Sequence, residues 1–139
     1  MRRELKSYLE YGGFPEVVLK EEKDRILREY ANVMLYRDIV ERHRLKNLKL
    51  VKLFFKTVFT GFAREFSIKR TSNYMKSIGL KVSRNTLYNY LEYMNDAYIA
   101  FPLKRYSKSL RIVEQSIPKL YVVDNRLTRI YSIYTAELY

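Results

Sequence analysis

The chain contains no cysteine and only one histidine, His43, among its 139 residues. The lack of cysteine excludes disulfide bonds and thiolate metal sites, and it is typical of proteins from a reducing compartment. A single histidine cannot build a zinc site without cysteine ligands, and the sequence offers it no partners for a serine–histidine–aspartate triad. The sequence therefore predicts no metal site.

Glycine, proline and long apolar runs are also scarce. Four glycines and three prolines argue against long loops or disorder, and a hydrophobic content of 47% is sufficient for a core. No apolar run approaches the roughly 20 residues that a membrane span needs. The first six residues lack the apolar region of a signal peptide. We therefore expect a cytoplasmic protein with no membrane contact.

Features of known catalytic sites are missing as well. The glycine-rich phosphate loop that ends in Gly-Lys-Ser/Thr is absent. Asp38 and Glu41 share one helical turn, but arginines surround them, so surface ion pairing explains them better than metal-dependent hydrolysis. Asp124 follows an apolar strand, where we expect it to cap the strand end or to form a turn. The sequence predicts a protein that is not an enzyme and needs no cofactor.

What the chain does have is positive charge, concentrated in one segment. The net charge is +12, and residues 42–91 hold twelve lysines and arginines against a single carboxylate, Glu65. Residues 1–41, by contrast, hold eight basic and nine acidic side chains. A basic field of this kind indicates a polyanionic partner, most simply nucleic acid.

Helical spacing predicts a layer of three helices over residues 1–64. The first covers residues 4–11 and is stopped by Gly12 and Gly13. Phe14 and Pro15 are expected to form an extended connector, and a longer helix covers residues 21–44. The third helix begins near Asn47, a suitable N-cap, and is strongly apolar.

After Glu65 the pattern is that of a winged helix-turn-helix, predicted over residues 65–125. It comprises a short strand at 66–68, a helix at 69–78 that Gly79 ends, and a second helix that Ser83 caps and that ends near residue 95. Strands at 98–106 and 120–123 enclose a wing of about a dozen residues, and 126–139 form a tail, of which 131–139 are either a short helix or a strand. The predicted fold class is mainly α, a helical N-terminal layer packed on a winged helix-turn-helix with a small β-hairpin wing.

The helix that opens at Arg84 is the predicted reader of the major groove. Four of its residues follow the i, i+3, i+4, i+7 spacing of a core-facing stripe: Leu87, Tyr90, Leu91 and Met94. The outward face then consists of Arg84, Asn85, Tyr88, Asn89 and Glu92. Arginine and asparagine match the edges of guanine and adenine. We expect phosphate contacts from Thr71, Ser72, Lys76, Lys81, Lys104, Arg105, Lys108 and Arg111.

Each of these features also has a simpler explanation. Winged-helix modules often dock proteins, and an Arg-Asn pair at a helix start is common on solvated surfaces. The basic side of the third helix, with Lys49, Lys52 and Lys56, is better explained as a solvated face than as a second binding site. Most helical tyrosines are expected to pack with the hydroxyl toward solvent; Tyr88, on the exposed face, is open to stacking or phosphate contact.

Several strings, in this order along the chain, resemble one family: Ser7–Val18 (SYLEYGGFPEVV), Leu35–Arg42 (LYRDIVER), Val82–Leu87 (VSRNTL), Asp96–Ile99 (DAYI) and Pro118–Asp124 (PKLYVVD). Together they are similar to the region that follows the ATPase core in archaeal and bacterial AAA+-like proteins of the archaeal ATPase family. The likeness covers about residues 7–128, and its most specific string is Gly-Gly-Phe-Pro-Glu.

The resemblance implies a helical and winged-helix module that binds DNA or a partner on behalf of an ATPase. The nucleotide-binding half of such proteins is absent, so ATP hydrolysis does not carry over. Asn125 and Arg126 stand where the family often has a glycine after the aspartate. Two functions follow: non-catalytic binding of double-stranded DNA with low specificity, or docking on an ATPase domain or on a second copy. A degenerate relic is a weaker third alternative.

Overall fold

The computed structural model describes residues 2–136, with side chains described for residues 2–131. This part of the chain is mainly helical and carries one two-stranded antiparallel sheet, which confirms the predicted mainly α class with a small β-hairpin. Buried side chains from Val17 to Ile130 form one continuous hydrophobic core. Three of its largest fully buried members are Phe54, Phe55 and Phe59.

Helix α1 (Arg2–Tyr11) ends as predicted at Gly12, whose φ of +80° suits glycine. Phe14 is extended, but Pro15 begins a short helix, α2 (Pro15–Leu19). Proline fits the first helical position because its fixed φ is helical and its missing N–H would have no partner there. The expected extended connector is therefore wrong for Pro15.

The helix predicted over residues 21–44 is α3 (Lys23–Val33), which continues directly into a π-helical segment (Met34–Glu41). Such segments are uncommon and are found frequently at functional sites. The apolar side chains Leu35 and Ile39 of the segment are buried in the core. The helical path has ended by Arg44, which adopts the left-handed conformation with a φ of +52°.

Helix α4 (Leu48–Thr60) supplies the phenylalanines of the core. Asn47 caps it as predicted, because its side chain accepts a hydrogen bond of 3.1 Å from the backbone N–H of Leu50. Burying an aromatic ring of this size is worth several kcal/mol, so α4 anchors the elements around it.

Helices α5 (Ile68–Ser77) and α6 (Arg84–Asp96) are joined by a short turn in which Gly79 has a φ of +89°. The strand predicted at residues 66–68 is wrong, because Ser67 caps α5 and Ile68 begins it. Just before it, Glu65 forms an isolated β-bridge with Lys119. The predicted cap of α6 is confirmed, since the Ser83 hydroxyl accepts a hydrogen bond of 3.1 Å from the Thr86 N–H.

Strand β1 (Ala100–Leu103) pairs with strand β2 (Lys119–Val122), with Ala100 opposite Val122 and Leu103 opposite Lys119. The strand predicted over residues 98–106 is shorter because Tyr98, at a φ of +57°, still belongs to the turn that ends α6. The connection between the strands is not a plain wing: it contains a helix that was not predicted, α7 (Leu110–Gln115).

Helix α8 (Asn125–Ala136) follows β2 and packs on α3 and α4. The predicted tail is thus helical through Ala136, and residues 137–139 lie outside the described part. Within that part, none of the helices combines the length and apolar character needed to cross a membrane.

Candidate nucleic-acid interface

Helix α6 presents the face that its spacing predicts. All four residues of the predicted stripe are buried, with Leu87 fully enclosed, and Tyr90 packs edge-on against Phe54. Burial raises the pKa of the Tyr90 hydroxyl, so this side chain stays neutral. The five residues of the predicted outward face are all exposed: Arg84, Asn85, Tyr88, Asn89 and Glu92. The first turn therefore offers a guanidinium and an amide to the outside.

The outward face of α6 is not itself net positive. Arg84 is its one cation, and Glu92 and Asp96 are exposed carboxylates on the second half of the helix. Backbone phosphates repel carboxylates, so any affinity for nucleic acid must come from the elements on either side of α6.

The first source of charge is the end of α5 and the turn after it. Lys76 and Lys81 are exposed there, at the amino-terminal end of α6. Thr71 and Ser72, by contrast, are buried, and the Thr71 hydroxyl donates to the Ser67 carbonyl at 3.0 Å. The expectation that Thr71 and Ser72 contact phosphates is therefore wrong, because both lie on the core-facing side of α5.

The second source is the connection between β1 and β2. The four predicted basic residues are exposed there: Lys104, Arg105, Lys108 and Arg111. Lys104 is engaged in an ion pair of 2.8 Å with Glu114, which offsets its charge. A groove of about 190 Å³ separates this connection from α6 and is lined by Tyr88, Lys69 and Gln115 among others. Tyr88 thus lies on the flank of α6 that faces α7 and the start of α5.

The opposite flank of α6 carries a contact that the sequence analysis missed. His43 stacks on Tyr93 of α6, with ring centroids 3.6 Å apart and planes inclined by 8°. The stack brings the basic run Arg42–Lys46 beside the helix. The only sign of it in the sequence is that these residues open the acid-poor segment.

The basic side of α4 is still best explained as a solvated face. Lys49 and Lys52 are exposed, Lys56 is half-buried, and the Lys52 ammonium lies 5.4 Å from the ring centroid of Tyr36. A cation–π contact of this kind accounts for the position of Lys52 without a ligand.

Asp124 has a structural role of the kind expected. One of its carboxylate oxygens accepts a hydrogen bond of 2.7 Å from the Gly13 N–H, and the other accepts one of 2.8 Å from the Arg126 N–H. Arg126 is itself buried and forms an ion pair of 2.8 Å with Asp24. Asp124 thus caps α8 and holds the turn after α1.

Apolar surface is exposed at α1 and α2, away from the elements that form the candidate interface. Leu5, Tyr8 and Leu9 of α1 are each more than half exposed, and Val18 and Leu19 of α2 are also exposed. The phenylalanines of α4 add little to such a surface, because Phe54, Phe55 and Phe59 fill the core and Phe62 is half-buried.

The chain is similar to two curated proteins. It shares 42% identity over 123 residues with an uncharacterized protein of Methanocaldococcus jannaschii, an alignment that covers 86% of this chain and 27% of the relative. It shares 27% identity over 125 residues with an uncharacterized protein of Haemophilus influenzae, which covers 88% of this chain and 31% of that relative. The chain thus spans less than a third of the length of these relatives. No solved structure matches it.

A family model covers nearly the whole described chain. The model is described as "Domain of unknown function (DUF8612)", and it matches residues 2–131, which include every element from α1 to the first part of α8. The chain belongs to this DUF8612 family.

Proposed function

We propose that the chain is a non-catalytic DNA-binding module that places α6 in the major groove of double-stranded DNA. The observation that carries the proposal is the first turn of α6, where Arg84 and Asn85 are exposed and no described carboxylate pairs with the guanidinium. The helix-turn-helix order of α5 and α6, followed by a two-stranded sheet, is that of a winged helix, in which the second helix enters the groove.

Phosphate contacts supply most of the affinity in this proposal. Lys76 and Lys81 lie at the amino-terminal end of α6, and the connection between β1 and β2 adds Arg105, Lys108 and Arg111, with a smaller share from Lys104 because of Glu114. Such contacts position a protein on DNA but carry little sequence information, so low specificity is expected.

A relation to AAA+-like ATPases belongs to the same proposal. The strings around Gly12-Gly13 and Asp124 resemble the region after the ATPase core of such proteins, and in this fold these two strings touch each other. The curated relatives are more than three times as long as the matched region. The module would then bring a larger protein to DNA, where a separate domain performs any ATP hydrolysis.

The groove helix is tested by Arg84→Ala combined with Asn85→Ala. Each lost base or phosphate contact is worth about 1–3 kcal/mol, so affinity for duplex DNA should fall at least about ten-fold. The variant Arg3→Ala removes the same charge from α1 and serves as the control. An unchanged affinity in the double variant, or an equal loss in the control, would contradict the placement of α6 in the groove.

A second candidate function is docking through the exposed apolar side chains of α1 and α2. Contiguous exposed apolar surface marks interaction sites, and the occupant we favour is a domain of the longer polypeptide that the relatives possess outside the matched region. Titration calorimetry with the remainder of the Methanocaldococcus jannaschii relative tests it. Binding that Leu5→Ser with Leu9→Ser abolishes would support this docking, whereas no binding would contradict it. A dimer of this chain in light scattering that the same substitutions abolish would assign the surface to a second copy instead.

A further inference from the structure

The loop that joins the π-helical segment to α4 is fixed against α6. His43, in the middle of this loop, stacks on Tyr93 at a centroid distance of 3.6 Å. The His43 N–H donates to the Ile39 carbonyl at 3.2 Å, and the Leu45 N–H donates to the Val40 carbonyl at 3.0 Å. Leu45 also packs against the core. The loop is therefore held at both ends and at its centre, so its side chains project from a defined backbone.

The loop carries uncompensated positive charge. Arg42, Arg44 and Lys46 are exposed, and none of them pairs with a carboxylate in the described part of the chain. The backbone of Arg44 lies in the left-handed region, at a φ of +52°. This conformation is costly for an arginine, and it turns the chain away from the helical path. Exposed cations at a fixed position next to α6 are what a phosphate contact requires.

The loop and the sheet connection lie on different flanks of α6. Tyr88 lines the groove toward α7 and the start of α5, whereas Tyr93 contacts His43. The two tyrosines are five positions apart in sequence, which places them about 140° apart around the helix. The outward residues Asn85, Asn89 and Glu92 project between these two flanks. This arrangement matches the major groove, which has base edges at its floor and a phosphate backbone on each side, about 12 Å apart.

We propose that Arg42, Arg44 and Lys46 bind the phosphates along one side of the major groove, while the cations of the β1–β2 connection bind those along the other. This inference rests on the proposed function, because it assumes that α6 lies between the two backbones. It also accounts for the acidic second half of α6, since the loop supplies positive charge next to Glu92 and Asp96. His43 is a positioning residue that holds the loop against the helix.

The test is Arg42→Ala combined with Arg44→Gly, the glycine being chosen because it fits the positive φ. The control, Arg2→Ala with Arg3→Ala, removes two charges from α1. Affinity for a random duplex is measured by fluorescence anisotropy across salt concentrations. Loss of two phosphate contacts should lower the magnitude of the log–log salt slope by about 1.8 and weaken binding about 50-fold at 0.1 M salt, with a far smaller change in the control.

The outcomes distinguish a failure of the loop assignment from a failure of the proposed function. If the wild-type chain binds DNA and the loop variant behaves like the control, the loop assignment is overturned and α6 binding stands. If the wild-type chain does not bind at all, the proposed function itself has failed. A loop variant that loses affinity while Arg84→Ala with Asn85→Ala loses none would overturn the placement of the loop beside a groove helix.

The positioning role of His43 is tested by two substitutions that differ in whether they keep an aromatic ring. His43→Phe keeps a ring that stacks on Tyr93, and His43→Ala removes it. We expect the phenylalanine variant to retain wild-type affinity and the alanine variant to lose several-fold, with melting temperatures recorded to exclude unfolding. The positioning role would be contradicted if both variants lost affinity, or if neither did.

Discussion

The carboxylate of Asp124 accepts a hydrogen bond of 2.7 Å from the backbone N–H of Gly13, although 111 residues separate the two in sequence. This bond joins the turn after α1 to the start of α8. The turn approaches so closely that a Cβ on Gly12 would overlap the Asp124 carboxylate, and Gly12 also has a positive φ. The Gly-Gly string and the aspartate that follows β2 are therefore two halves of one structural contact.

Gly12→Ala should destabilise the protein more than Gly79→Ala does. Both glycines have positive φ, which costs alanine about 1–2 kcal/mol, but a Cβ at Gly79 would meet no atom within 4 Å. The overlap with Asp124 should bring the loss at Gly12 to about 3 kcal/mol or more. Urea denaturation measures both. Equal losses would mean that the contact with Asp124 is not tight.

Asp124→Asn should lower the free energy of unfolding by about 1–3 kcal/mol. Both carboxylate oxygens accept backbone N–H groups, and an asparagine amide can accept only one of them, which leaves the other N–H without its partner. The same substitution should leave DNA affinity unchanged, because Asp124 bonds to the turn after α1 and to the start of α8 and not to the candidate interface. Thermal or urea unfolding that is insensitive to the change would refute this role.

Leu87→Ala should cost about 2–5 kcal/mol of stability, since Leu87 is fully buried and the truncation leaves a cavity. Tyr88→Ala, one residue further on the exposed face, is the matched control and should stay within about 0.5 kcal/mol of the wild type. If urea denaturation gave the reverse order, the orientation of α6 would be wrong.

Glu92→Gln should tighten DNA binding a few-fold at low salt. The substitution removes a negative charge from the outward face of α6 while it keeps the size and the hydrogen-bonding capacity of the side chain. Glu10→Gln, on α1, changes the net charge equally and should have little effect. Anisotropy titrations that show equal changes in both variants would indicate a general charge effect instead of a local contact.

Sequence spacing predicted the features that depend on local rules. The caps at Asn47 and Ser83, the positive φ of Gly79 and the core-facing side of α6 follow from turn chemistry and helical periodicity. The burial of Thr71 and Ser72 could also have been predicted from the sequence, because they share the i, i+3, i+4, i+7 stripe of Ile68 and Met75. Small polar side chains on an apolar stripe were assigned to the wrong face.

Other features depend on contacts between distant parts of the chain. An apolar face has nearly the same spacing in an α-helix and in a short π-helical segment, so Met34–Glu41 could not be distinguished from a continuation of α3. Helix α7 has only six residues and none of them is buried, so no apolar periodicity marks it in the sequence. The stacking of His43 on Tyr93 and the hydrogen bond from Gly13 to Asp124 join residues whose proximity no local pattern specifies.

The proposed DNA-binding function is tested most directly by a fluorescence-anisotropy titration of the purified chain with a labelled random duplex, at low and at roughly physiological salt. The account predicts saturable binding that weakens steeply with salt, with a log–log slope that corresponds to about four or more phosphates. Absence of binding at low salt, despite a net charge of +12, would contradict it and leave the basic surface as a solvated one.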